Sequence, residues 1–406
     1  MAPSLAPAFL LVAIALGENQ RRIGWRHDVS LDLHRQMGSN LGNFSPNADF
    51  PDLSPVGVVH SNEGTIGTGT LLSPTMVVTA AHVLRGSNSA AVPDASDWSF
   101  SLGSDYQEAQ AVHAVSDIIL HNGWTARLSY EHGIGDGDLL GVDLALVRLK
   151  EPVTSVTPAR FNDDSLEAIG SRIILAGYGS LAKGDVGVTI IDNYERFAGE
   201  NSLDRVVEIV NAPDVPSADR GGLLGMDFDE PKGFFNSLGP NVTSVDYLGS
   251  GSSSSTPLPY EATTAEGDSG GPAFMRIKGA WKVVGTVSYG TKESSYGDVT
   301  VYTRLASQPV WLRSYLERWA PARRTGYGEW LNLDWFGNFV DLAAGWIFHE
   351  KLGWVYVPDN APDEFWAWQK GIGWWWTGLQ FFPYVYCHEH SDWLYFSISV
   401  SSPETR

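Results

Sequence analysis

The sequence contains a single cysteine, Cys387, among its 406 residues. No disulfide can close within one chain, so packing, hydrogen bonds and ion pairs must hold the fold. Positive charge is scarce: 27 Lys and Arg face 47 Asp and Glu, a net charge of −20. That balance argues against nucleic acid and anionic membrane surfaces as partners. Long apolar runs are absent too. The N-terminal run over residues 9–16 is too short to span a bilayer. With Ala15-Leu16-Gly17 as a small-residue exit, residues 1–17 read as a secretory signal, although no Lys or Arg precedes the run. The expected location is secreted, periplasmic or at the cell surface. What the chain has in quantity is glycine, 43 residues, and aromatic rings, 12% of the total. Both favour strands and turns over a helical bundle.

One stretch carries chemistry. Glu266-Gly267-Asp268-Ser269-Gly270-Gly271-Pro272 sets a serine in a glycine-rich turn. A serine hydroxyl needs a base to become a nucleophile, and the N–H groups of Gly267 and Ser269 are candidates to hold a developing oxyanion. A base and an orienting acid stand upstream. His82 closes Thr79-Ala80-Ala81-His82 after an apolar run, and Asp143 lies in Val142-Asp143-Leu144-Ala145-Leu146-Val147, which reads as a buried strand with one acid. A lone buried carboxylate needs a partner such as an imidazole N–H.

The order His82, Asp143, Ser269 and the motifs T-A-A-H-V, D-L-A-L-V and G-D-S-G-G-P resemble the trypsin/chymotrypsin family of serine peptidases. Residues 176–179, 288–290 and 301–304 extend the resemblance, which covers about residues 56–319. It implies an all-β fold of two antiparallel six-stranded β-barrels, about 55–161 and 171–306, closed by a short C-terminal helix. It also implies an endopeptidase acting through an acyl-enzyme, needing no cofactor and no metal. The alternative is a peptidase fold kept without activity for surface binding. By the same resemblance Ser288 backs Asp143, and Ser288, Tyr289 and Gly290 pair with substrate. Thr263, six residues before Ser269, takes the base of the primary pocket, with Thr264 beside it, Glu266 at the rim and Thr300 making it shallow. Small or medium uncharged side chains are then expected before the cleaved bond. Within residues 18–54, a segment open to processing, Arg21-Arg22-Ile23-Gly24 is either an activation site whose freed Ile23 amine pairs with Asp268, or a plain basic spacer.

The sequence predicts first-barrel strands at 56–60, 67–72, 76–79, 112–120 and 143–148. Second-barrel strands are expected at 173–176, 205–210, 260–263, 273–277, 281–287 and 299–303. Residues 181–258 read as a long excursion ending in a Gly/Ser tip at 249–256. Asp136-Gly137-Asp138 matches a calcium loop only in composition, and Asn241-Val242-Thr243 matches a glycosylation sequon only by pattern. Beyond Pro321 the composition changes. Ten of the sixteen tryptophans follow, and Gly353-Trp354, Gly373-Trp374 and Asp392-Trp393 recur 20 and 19 residues apart. Residues 326–406 therefore read as a separate module of aromatic hairpins, loosely resembling bacterial cell-wall-binding repeats. Its rings either contact a cell surface or polysaccharide, or are mostly the core of a small domain. His388-Glu389-His390 is expected to put two imidazoles on one strand face. The expected partner is a protein or peptide substrate, and the expected state is a monomer.

Overall fold

A computed structural model describes residues 23–85, 91–129, 137–188, 194–240, 246–291, 294–316, 319, 322–342, 345–358 and 364–397. The signal segment, Arg21-Arg22, Asp136 and the sequon lie outside the described residues. The chain divides into two compact units, residues 1–309 and 310–406.

In the first unit, β1 (Ile23–Trp25) and α1 (Leu31–Gly38) precede a closed barrel. Its strands are β2 (Val56–Ser61), β3 (Ile66–Ser73), β4 (Met76–Thr79), β5 (Trp98–Leu102), β6 (Ala111–Leu120) and β7 (Ala145–Leu149), in the order β2-β3-β4-β7-β6-β5. Pairing of Gly57 with Leu102 closes the ring of strands. Val59, Leu71, Val77, Phe100 and Val147 fill its centre. Large and small residues interlock there. A Cβ on Gly57 would lie 2.6 Å from the Phe100 ring, so the ring occupies space that only glycine leaves.

The second half of the unit holds β8 (Arg172–Gly177), β9 (Leu181–Lys183), β10 (Gly187–Val188), β11 (Phe197–Ser202), β12 (Arg205–Val207), β13 (Gly222–Asp227), β14 (Ala262–Thr263), β15 (Pro272–Ile277), β16 (Ala280–Gly290) and β17 (Val299–Arg304). Seven of them form a half-barrel in the order β11-β8-β15-β16-β17-β13-β12, rather than a closed barrel of six. β11 and β13 come from the stretch read as an excursion. They are buried along nearly their whole length, so neither shows the alternation that marks a half-exposed strand. The 249–256 tip is tied down: Asn236 donates to the Ser253 carbonyl, and the Ser253 hydroxyl donates back to Asn236. A small sheet, β10-β9-β1-β14, runs β1 parallel to β9 and antiparallel to β14.

The second unit begins within α3 (Pro309–Leu316), the helix expected after the second barrel. It continues as a nine-stranded antiparallel meander: β18 (Arg323–Arg324), β19 (Trp330–Leu333), β20 (Gly337–Asp341), β21 (Trp346–His349), β22 (Gly353–Tyr356), β23 (Glu364–Gln369), β24 (Gly373–Gly378), β25 (Tyr384–Cys387) and β26 (Asp392–Tyr395). The hairpins lie edge to edge in one sheet. Trp319 packs on Phe339 and Phe365 in this unit's core, which explains why the division falls before residue 319. His388 and His390 sit in the turn after β25, not on a strand.

Candidate active site

The barrel supplies two of the three expected groups. His82 sits in α2 (Ala81–Arg85), directly after β4. Asp143 precedes β7 instead of lying within it. Leu144 N–H donates to the Val142 carbonyl at 2.8 Å, a three-residue turn centred on Asp143. The turn frees the aspartate from the ladder. His82 N–H then donates to Asp143 Oδ1 at 2.9 Å, and His82 Nδ1 lies 2.6 Å from Oδ2. A carboxylate only accepts, so the ring proton sits on Nδ1 and leaves Nε2 as a base. Nε2 is 2.8 Å from Ser269 Oγ.

Asp143 is fully buried. Burial pushes its carboxyl up. The charge and N–H of His82, with the Ser288 hydroxyl, outweigh that and hold it below the ordinary value. Ser288 Oγ donates to Oδ2 at 2.7 Å. Its orientation comes from a bulge in β16: Val287 pairs with Tyr302 and Tyr289 with Val301, leaving Ser288 between them. Thr303, to which the sequence assigned no role, donates its hydroxyl to the Asp143 carbonyl at 3.1 Å.

The Ser269 turn is pinned to both halves of the unit. Thr68 of β3 donates its N–H to the Ser269 carbonyl at 2.8 Å and its hydroxyl to the Gly267 carbonyl at 3.1 Å. Gly270 N–H donates to Val287 at 2.8 Å. Gly267 and Gly270 take φ of +97° and +80°, which L side chains rarely adopt. A Cβ on Gly270 would stand 2.1 Å from the Thr79 hydroxyl. The Glu266 carbonyl accepts from Ser180 N–H at 3.3 Å, so the planar trans peptide turns the Gly267 N–H the opposite way.

Thr263, Thr264 and Thr300 meet. Thr300 Oγ1 lies 2.9 Å from both Thr263 Oγ1 and Thr264 Oγ1, and none of the three is more than 8% exposed. The three positions are buried and carry no charge. Glu266 is exposed beside them. Tyr289 and Gly290 end β16, where Gly290 pairs with Thr300.

Asp268 is 1% exposed and accepts from Gly179 N–H at 2.8 Å and Ala265 N–H at 3.0 Å. Burial pushes its carboxyl up to about 7, against the pull of those two donors. Ile23, its expected partner after cleavage, pairs with Leu181 in β1–β9, and Gly24 pairs with Thr263. Thr68 carries no local signal in the sequence, because it acts on Gly267 and Ser269, far along the chain. Gly179 and Thr303 likewise meet Asp268 and Asp143 from a distance in sequence, whereas Ala265 lies three residues from Asp268.

Among the described residues no cluster of His, Cys, Asp and Glu is arranged to hold a metal ion. A family profile described as "Trypsin-like peptidase domain" matches residues 67–285. Mouse (Mus musculus) transmembrane protease serine 11E is 26% identical over 250 residues, covering 60% of this chain and 47% of that protein. The chain thus spans about half the length of this curated relative.

Proposed function

Since the chain belongs to the trypsin-like peptidase family, we propose that it is a secreted serine endopeptidase with Ser269 as nucleophile, His82 as base and Asp143 as orienting acid. The observation that carries this reading is the continuous relay Asp143–His82–Ser269, with contacts of 2.6 and 2.8 Å. Ser269 Oγ attacks the peptide carbonyl carbon as its proton passes to His82 Nε2. The carbonyl oxygen takes the negative charge and is held by the N–H groups of Gly267 and Ser269. The imidazolium, stabilised by Asp143, returns the proton to the leaving amine, and the acyl-enzyme remains on Ser269. Water then repeats the sequence and frees the acid.

Residues 288–290 pair with the extended substrate. The buried, uncharged threonine floor supports small or medium uncharged side chains before the scissile bond. Cleavage after Arg22 would free the Ile23 ammonium for Asp268, a buried carboxylate that carries a desolvation cost without a cation. Residues 326–406 act as a separate module that attaches the monomeric enzyme to a cell surface or polysaccharide. Labelling with a fluorophosphonate tests the activity. The probe should attach to Ser269 and be lost in Ser269→Ala, together with peptide hydrolysis. An intact, folded protein that never labels would leave the alternative, a peptidase fold kept for binding.

A further inference from the structure

The nine-stranded sheet has two apolar faces, and only one is covered by described residues. Ile347, Val355, Phe365, Trp375 and Val385 point into the core. The neighbouring positions point the other way and are mostly rings. Register places them opposite one another across successive strands: Phe348 with Trp354, Trp346 with Tyr356, and Tyr356 with Trp368. The row continues through Trp366 with Trp376 and Trp376 with Tyr386, and then Tyr386 with Trp393. Rings touch at Phe348–Trp354, Trp346–Trp354, Trp346–Tyr356, Trp346–Trp368 and Tyr386–Trp393, with centroids 5.4 to 6.4 Å apart. Of the ten tryptophans beyond residue 320, Trp375 alone is fully buried, and Trp354, Trp366, Trp374 and Trp393 are 38–58% exposed. They are therefore not mostly core, as one reading of the composition had it. A contiguous exposed aromatic surface of this kind marks a binding face.

The occupant follows from charge and periodicity. Among the register pairs on this face from Trp330 to Tyr395, Glu364 is the one charged residue. A polyanion finds no cation row there and meets a chain of net charge −20. A polycation finds no carboxylate row. The rings recur with the strands, so those two strands apart are separated by about 10 Å. A periodic row of flat rings suits a ligand that repeats and presents flat C–H faces with hydroxyls at their edges. We propose that this face binds a neutral, unbranched polysaccharide lying across the strands, its sugar rings stacked on the tryptophans. The proposal rests on the attachment reading given above and names the face and the ligand class.

The test uses the full chain carrying Ser269→Ala, which cannot digest itself. It is sedimented with microcrystalline cellulose, chitin and an insoluble β-1,3-glucan. Calcium alginate beads serve as the polyanion, and anionic and zwitterionic phospholipid vesicles as the membrane. The expected result is retention on at least one neutral glycan and on neither alginate nor vesicles. Trp354→Ala/Trp366→Ala/Trp374→Ala should lower retention at least tenfold with an unchanged melting temperature. Trp366→Phe, which keeps a ring, should retain binding even if the triple variant folds poorly. No retention on any of the three glycans, equal retention on alginate, or full retention by a folded triple variant would each overturn the proposal. So would self-association through this face, seen as a dimer in sedimentation velocity that the triple variant abolishes. Capture by vesicles alone would leave the attachment reading standing while the glycan falls. Capture by nothing would remove both.

Discussion

The substitution Asp268→Asn separates the two roles that the carboxylate can have. In the uncleaved chain the group is buried, bonded among the described residues to N–H donors at Gly179 and Ala265, and raised from 3.8 to about 7. At about 1.4 kcal/mol per pH unit, carrying the charge in the fold costs about 4 kcal/mol once the pH exceeds 7. The sign follows from the raised value: the unfolded group ionises first, so stability is lost as pH climbs from 3.8 through about 7. The substituted amide carries no charge, but its NH2 must face one of the two donors, a conflict worth about 1–3 kcal/mol. At pH 8 the uncleaved variant should therefore melt higher than its Ser269→Ala parent, by about 1–3 kcal/mol in stability. At pH 5 the burial cost falls below about 2 kcal/mol and the gain should vanish. On the proposal that cleavage after Arg22 brings the Ile23 ammonium to Asp268, the same change in the processed form strands that ammonium without a counter-charge, costing about 3–5 kcal/mol. Peptide hydrolysis should then fall about 10²–10⁴-fold. Calorimetry at the two pH values and kinetics on the processed form read both arms. An uncleaved variant that melts lower at pH 8, or a processed variant with undiminished kcat/KM, would refute the reasoning.

Profiling against a peptide library should show small or medium uncharged residues before the cleaved bond. Thr300→Ala, which removes the hub of the threonine hydroxyls, should shift preference toward larger ones by about tenfold. A dominant demand for Arg or Lys would show that Glu266, not the threonine floor, selects substrate. Stability should decline from pH 5 to pH 9. Burial and neighbouring carboxylates push Asp204 well above the ordinary range and Asp229 up to about 8, and burial pushes Glu261 up to about 7. Such groups favour the fold at low pH and cease to as they ionise. A melting temperature that rises across this interval would contradict the buried-acid account. Deleting residues 310–406 should leave turnover of small peptides unchanged, since His82, Asp143 and Ser269 all lie in the first unit. An insoluble or inactive product would refute that independence.

The residues of the proposed triad stand out in the sequence because each sits in a short motif whose residue types are local facts. The absence of disulfides and the change of composition beyond residue 321 were readable for the same reason. So was the spacing of 20 and 19 residues between tryptophans. Gly353 and Gly373 turn into β22 and β24 with positive φ, and Ser391 does the same before β26, so each following ring lands at the same place in its strand. What joins His82, Asp143 and Ser269 is not local. They are 61 and 126 residues apart in sequence, and only barrel register brings them within hydrogen-bond reach. The same holds for the bulge that aims Ser288, for the Thr68 contacts that pin the Ser269 turn, and for the hydroxyls meeting at Thr300. Strands β11 and β13 escaped notice because burial on both faces erases the period of two on which a strand is recognised. In the tail the sequence determined that rings recur. The pairing of nine strands decided which of them face the core and which form one uncovered row, because a side chain's face depends on register as well as on spacing.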